Sequence, residues 1–317
     1  MPPIVASAAY DAPLPPGHRF PMGKFPALAA ILQQEGLAPQ GFHEPEPADY
    51  ALLARAHAPD YVAQVLSQSV PPAVERRIGL PVTEVVARRA CAAVGGTLLT
   101  ARLALRHGLA CNTAGGSHHA AHAGGAGFCV FNDVAAAALR LLDEGAVRRV
   151  LVVDLDVHQG DGTADILRAE PGAFTFSMHC EANFPVRKVA GDWDIGLPVG
   201  LGDEGYLDEL SRALPALLAL AKPDLVFYNA GVDVHGQDHL GRLALSDAGL
   251  AARERMVLEF FAVRGVPVAG VLGGGYGAAP GDVAARHAVL HRTAANVFAE
   301  QAMREQTGQV LTGLRQE

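Results

Sequence analysis

The strongest constraint on this chain is where its reactive residues fall, directly after short apolar runs. Val150-Leu-Val-Val-Asp-Leu-Asp-Val is apolar and β-branched, the pattern of a strand buried on both faces of a parallel sheet. Comparable runs predict strands over 173–178, 225–229 and 266–272. Each run leads into polar or glycine residues: Asp154 to Thr163, Ser177 with His179, Asn229-Ala-Gly-Val-Asp233, and Gly273-Gly-Gly-Tyr276. Open α/β sheets bind ligands beyond the carboxyl ends of their strands. Four such ends describe one site assembled from distant parts of the sequence.

Helical patterns separate several of these strands, at 133–144, 163–168, 206–221 and 247–264. Upstream, helices are expected over 26–35, closed by Gly36, and over 47–69, broken at Pro59. A long Ala- and Leu-rich helix is expected over 83–107, capped by Thr83 and ended by Gly108. The Gly95-Gly96 pair inside it predicts close packing against a neighbour. Residues 1–25 read as an irregular entry segment, and 301–317 as a docked or frayed terminal helix. Alternating strands and helices imply an α/β fold with a mainly parallel sheet flanked by helices on both faces. No repeat or linker divides the 317 residues, so one catalytic domain over 1–317 is expected.

Composition narrows the function. Half the residues are hydrophobic and only 18% are charged, which suits a large core. The formal net charge of -8, with no Lys/Arg run, argues against nucleic acid or an anionic membrane surface as partner. Cys91, Cys111, Cys129 and Cys180 lie far apart with no C-x-x-C, so buried thiols in a reduced compartment are expected. Neither a signal-peptide pattern nor a membrane-spanning run is visible, which points to the cytoplasm.

Asp154-Leu-Asp156-Val-His158-Gln-Gly-Asp161-Gly carries the most chemistry. Alternation along an extended chain puts Asp154, Asp156 and His158 on one side, costly in a buried strand without a cation. With a rise of about 3.3 Å per residue, Asp154 and His158 start roughly 13 Å apart, whereas Asp156 and His158 are close enough to share one ion. Oxygen and imidazole donors suit Zn²⁺, Fe²⁺ or Co²⁺, and Asp233, just past another strand, is the best third ligand. His118-His119, in a glycine-rich loop, is compatible with a structural or a catalytic role. In the catalytic reading His119 takes a proton from water, and Asp154 and Asp161 are spare acids to orient the two imidazoles. Gly273-Gly-Gly-Tyr276 is a plain turn or a device that aims the Tyr276 hydroxyl at an oxyanion. In Gly127-Phe128-Cys-Val-Phe-Asn-Asp133 the aromatic after glycine is either a core residue or the wall of a channel.

Together these runs resemble the histone deacetylase superfamily, whose fold is shared with arginase. The resemblance spans His18-Arg-Phe-Pro-Met to Gly273-Gly-Gly-Tyr276, with the His-His pair, G-F-C-x-F-N-D, D-x-D-x-H-x-G-D-G, a later Asp and G-G-G-Y in the family's order. Tyr228-Asn-Ala-Gly-Val-Asp233 with Asp238-His-Leu-Gly-Arg-Leu is similar to the class IV branch and its bacterial relatives. The resemblance implies that Asp156, His158 and Asp233 hold zinc and that His119 is the general base and later acid. It implies that His118, paired with Asp154, is the electrostatic histidine and that Asp161 partners His119. Tyr276 is then the oxyanion donor. Phe128 and Phe184 form opposite walls of an acyl-lysine tunnel, with Gly127 and Gly274 lining it. A structural or regulatory K⁺ is implied near Asp154, Asp156, His158, Ser177 and Met178, and Arg19 is a weaker match for an inner channel that releases the acid. Ala120 to Gly124 and His239 depart from common family residues, and no equivalent of the rim acid that holds the substrate backbone stands out.

The expected activity is removal of acetyl or longer acyl groups from lysine ε-amines of proteins or peptides. A small acylated amine such as an acetylated polyamine fits the same chemistry. A binuclear arginase-type site would need further acids, and Gln159 and His235 stand where they are needed.

Overall fold

The computed structural model describes residues 1–313. Its strands are β1 (Ile4–Val5), β2 (Leu109–Asn112), β3 (Val150–Asp154), β4 (Ala173–Cys180), β5 (Trp193–Leu197), β6 (Leu225–Asn229) and β7 (Val268–Val271). They form one parallel sheet in the order β1-β2-β7-β6-β3-β4-β5. The helices are α1 (Lys24–Gln34), α2 (Tyr50–Ala56), α3 (Pro59–Leu66), α4 (Pro72–Ile78), α5 (Glu84–His107), α6 (Asp133–Asp143), α7 (Asp161–Leu167), α8 (Asp203–Ala221), α9 (Asp247–Ala262) and α10 (Pro280–Gly313). Helix α5 packs on β2 and β7 with α6 beside it, while α9 and α10 reach the same strands from the other face.

The central strands β2, β3, β6 and β7 are buried throughout, so no alternation of polar residues marks them. From β3 the chain proceeds outward through β4 to β5, then returns to place β6 on the other side of β3. The carboxyl ends of β3 and β6 therefore flank the point where the strand order reverses, the place where such sheets bind ligands.

Several helices begin and end as the sequence predicts. Thr83 accepts from Val86 N–H at 3.3 Å to cap α5, and Gly108 ends it at φ +84°. A side chain at Gly95 or Gly96 would collide with the Glu46 carbonyl or the Tyr10 phenol, so the pair marks close packing. The expected helix over 47–69 is indeed two, with Pro59 opening the second.

Other parts differ. Residues 1–25 are not wholly irregular: they hold β1 and a single 3₁₀ turn over Ala8–Tyr10. Strands β2 and β5 and helix α4 add to the expected elements; β2 lacks β-branched residues, and β5 is a half-exposed edge. The terminal helix starts at Pro280 rather than 301, and the last four residues of the expected span lie outside the described residues. Strand β3 stops at Asp154, so the run to Val157 is not a continuous strand. Among the described residues, no helix is long and apolar enough to cross a membrane.

Candidate active site

Beyond β3 the main chain folds on its own carboxylates. Asp156 N–H donates to Asp154 Oδ1 at 3.2 Å, and His158 N–H donates to Asp156 Oδ1 at 2.9 Å. This curl replaces the extended alternation expected over 154–158 and divides the three residues between two tasks. Asp154 turns to the histidine loop, while Asp156 and His158 turn to Asp233, which follows β6. His158 Nδ1 lies 3.0 Å from Asp156 Oδ1 and 3.1 Å from Asp233 Oδ2. One donor atom from each of the three lies within 4.8 Å of the others, and all three side chains are buried.

These residues fit a divalent cation. Donors about 2.0 Å from a tetrahedral zinc ion stand roughly 3.3 Å apart, close to the spacing here. The outward oxygens are held by main-chain donors: Gly274 N–H to Asp156 Oδ2 at 2.6 Å and Val157 N–H to Asp233 Oδ1 at 2.9 Å. The electrostatics point the same way. Burial, then the Asp156 charge, push the Asp233 carboxyl up to about 7. His158 resists burial and is driven up to about 10 by its hydrogen bonds to Asp156 and Asp233. For the polypeptide alone, two buried carboxylates thus draw a proton onto His158, and a cation between them satisfies the same demand.

The histidine loop follows β2, an end that the sequence pattern did not mark as a strand. His118 Nδ1 donates to Asp154 Oδ2 at 2.7 Å, and His119 Nδ1 to Asp161 Oδ1 at 2.6 Å, so each spare acid takes its expected imidazole. The two ring centres lie 4.1 Å apart, with the planes tilted by 47°. Burial opposes charge on both, with opposite outcomes. Asp154 and Asp156 outweigh it at His118, raising that group to about 9. At His119 burial is reinforced by the His118 charge, and the group falls to about 4. Neighbouring groups driven apart in this way divide into a charged partner and a neutral base.

Two residues that the sequence reading left without a role hold this loop. Asp133, the first residue of α6, accepts from Gly116 N–H at 3.0 Å and Ser117 N–H at 2.7 Å, and from the Thr97 hydroxyl. Asn132 caps α6 through Ala135 N–H, while its amide donates to the Ala120 carbonyl at 3.1 Å and Thr163 Oγ1 at 3.0 Å. Asn229 adds a 2.9 Å donation to Asp154 Oδ1. The signal was the Asn-Asp pair opening a helix, a capping pattern whose second purpose appears only in three dimensions.

Glycines admit the catalytic groups. Gly127, at φ +54°, lies under the His119 ring, which an added Cβ would meet at 2.5 Å. A Cβ at Gly274 would collide with Asp233 and Asp156, and Gly274 lines the same cavity as Gly127, Phe128 and Tyr276. Tyr276 N–H donates to Asp238 Oδ2 at 2.7 Å, and its ring stands 6.3 Å from His158. Burial, then Asp233 and Asp156, hold its phenol well above the ordinary range, so it stays a protonated donor. Phe128 packs against Tyr276 at 5.8 Å, and Phe184 meets the His119 ring edge-on at 4.8 Å. These two aromatics flank the approach to the histidines, with Phe184 43% exposed at the mouth.

Asp154 and Ser177 face each other in register on β3 and β4, and Met178 follows, buried. Arg19 is placed differently from its expected inner position: it is exposed, 6.0 Å over the Phe128 ring. Lys24, Arg89 and Arg253 are buried cations, and the first two pack against the aromatics beside the site. Lys24 Nζ lies 5.7 Å from the Tyr276 ring centre and donates to the Gly275 carbonyl at 3.3 Å. A lone Lys in an apolar helix gives no sign of burial.

A parallel α/β sheet carries a histidine pair, a phenol and a buried trio of candidate metal ligands at its strand ends, and the family it belongs to makes it a hydrolase acting on amides. Comparison with known proteins specifies the class: residues 18–292 match the histone deacetylase domain, and the chain belongs to that family. It is 51% identical over 297 residues to an uncharacterized protein of Picosynechococcus sp., covering 93% of this chain and 99% of the relative. It is 29% identical over 289 residues to a probable deacetylase of Methanothermobacter thermautotrophicus, covering 86% and 85%. The crystal structure of the HDA15 HD domain superposes with a TM-score of 0.74 at 20% identity, covering 98% of both chains, which shows the shared fold. The family supports a deacetylase activity on an acetylated substrate.

Proposed function

We propose that this protein is a zinc-dependent lysine deacylase that removes acetyl or longer acyl groups from ε-amines in proteins or peptides. The observation that carries the reading is the convergence of Asp156, His158 and Asp233 donors within 4.8 Å, faced by His119 and Tyr276. Asp156, His158 and Asp233 would hold a divalent ion, which would supply Lewis acidity to the amide carbonyl and lower the pKa of water. His119, neutral and oriented by Asp161, takes the water's proton and delivers it to the departing amine. Tyr276 donates to the oxyanion, and His118, held by Asp154, lies beside it. Phe128 and Phe184 screen the approach from bulk water, which suits a long neutral side chain. The two-oxygen, one-imidazole donor set suits Zn²⁺, Fe²⁺ or Co²⁺, zinc being the ion that the family resemblance implies, and K⁺ belongs near Asp154 and Ser177. The four buried free thiols accord with a reducing cytoplasm.

The test compares acetyl- and myristoyl-lysine peptides with N-acetylputrescine, using protein loaded with zinc, iron or cobalt. Peptide hydrolysis by the zinc form supports the proposal. Turnover of N-acetylputrescine alone makes the enzyme a small-amine deacetylase, and binding of acyl-lysine without turnover by any metal form makes it a reader.

A further inference from the structure

We propose that the tunnel mouth is a cationic collar that selects acyl-lysine flanked by acidic residues. The inference rests on the lysine-deacylase reading and narrows its substrate class. On the Phe128 wall, the Arg19 guanidinium lies 6.0 Å over the Phe128 ring. Arg77 stands on the same side: its carbonyl accepts from Gly127 N–H at 3.1 Å, and its Nε donates to the Gly125 carbonyl at 3.0 Å. The chain beside the other wall carries two more: Arg187 follows Phe184 by three residues, and the Arg242 main-chain N–H donates to the Asn183 side chain, next to Phe184, at 3.1 Å.

All four arginines are exposed, and none forms an ion pair among the described residues. Exposed Arg76, Arg106 and Arg149 likewise form no ion pair among the described residues, whereas other surface arginines are paired. Arg55, Arg102, Arg212 and Arg292 lie against Asp143, Glu144, Asp208 and Glu35 at 2.6–2.9 Å. The loop that carries Arg187 is fixed by Lys188, whose Nζ donates to the carbonyls of Glu181, Asn183 and Pro185 at 3.0, 2.8 and 2.7 Å. Two acids lie near this end of the sheet. Asp238 accepts from the N–H groups of Leu240, Gly241 and Tyr276. Glu181 points toward His179 and Gly196 on the β4–β5 side.

Unpaired positive charge around a mouth with apolar walls concentrates anions, even on a chain of net charge -8. The groups are solvated, so the effect is modest and salt-sensitive. The collar favours acidic flanks and disfavours polycationic tails and the free ammonium groups of acetylated polyamines. It acts on substrate capture, outside the groups that do the chemistry.

The experiment uses the metal-loaded protein and three peptides that share one acetyl-lysine, flanked by Asp and Glu, by Ala and Gly, or by Lys and Arg, with N-acetylputrescine as a fourth substrate. The acidic peptide should exceed the basic one about tenfold in kcat/KM at low salt, through KM, and added salt should shrink the gap. The double variant Arg187→Glu/Arg242→Glu should reverse the order while keeping kcat on the neutral peptide. Equal turnover of all three peptides, or a preference that neither salt nor the variant alters, overturns the collar and leaves the deacylase reading intact. The salt series on the wild-type protein decides the matter if the variant does not fold. Hydrolysis of N-acetylputrescine with no peptide hydrolysed overturns the deacylase reading instead.

Discussion

Replacing Tyr276 by Phe removes one oxygen and leaves its surroundings in place. The ring is held by Phe20 at 6.4 Å and Phe128 at 5.8 Å, and the main-chain N–H to Asp238 does not depend on the side chain. The buried phenol is kept protonated by the burial and negative charge around it, so what disappears is a neutral donor aimed into the site. Loss of one preorganised oxyanion donor costs about 10²–10³ in kcat, or roughly 2.7–4 kcal/mol of transition-state stabilisation. The assay is steady-state hydrolysis of an acetyl-lysine peptide, with metal content and melting temperature measured on the same preparation. The account expects a kcat lower by that factor, an unchanged metal content and nearly unchanged melting. A variant that turns over like the parent would refute the assignment of Tyr276, and a large loss of melting temperature would mean that the hydroxyl serves the fold.

Three further outcomes follow from the geometry. Asp233→Ala removes one of three donors and leaves Asp156 beside His158, so elemental analysis should find the metal largely lost; a fully loaded variant would place the third ligand elsewhere. Gly127→Ala puts a methyl against the His119 ring at a position with φ +54°, and displacement of a catalytic group by about 1 Å can cost on the order of 10²-fold in rate. That variant should keep its metal and lose kcat, and unchanged kcat would show that His119 can shift without harm. Stability should fall in mild acid: burial lowers His57 and His291 to about 4 from 6.5, so between those values the unfolded chain binds protons that the folded chain refuses. The contribution is complete above 6.5 and is lost as pH falls toward 4. Urea unfolding at pH 7 and pH 5 tests this, and His57→Gln should flatten the difference.

The legible parts of the sequence are those where local pattern and tertiary role coincide. The β-branched runs at 150–154 and 225–229 are recognisable because central parallel strands need them, and Asp154, Asp156, His158 and Asp233 follow directly. Strand β2 escaped notice because Leu-Ala-Cys-Asn looks like the tail of the preceding helix; only its pairing with β1 and β7 makes it a strand. The turn after Asp154 was invisible because it depends on side-chain carboxylates that accept from the main chain two residues on. Lys24 and Arg89 were missed because composition cannot tell a solvated cation from one enclosed by Phe20, Phe25 and Tyr276. Arg19 was drawn inward by its place in a motif, whereas the chain turns it out over Phe128.

The most direct test of the central claim is anomalous diffraction at the zinc absorption edge from crystals of the purified, zinc-supplemented protein. The account predicts one strong peak per chain, bonded to His158 Nδ1 and to the carboxylates of Asp156 and Asp233. A map with no peak between those three side chains, from protein that still deacetylates an acyl-lysine peptide, would contradict it.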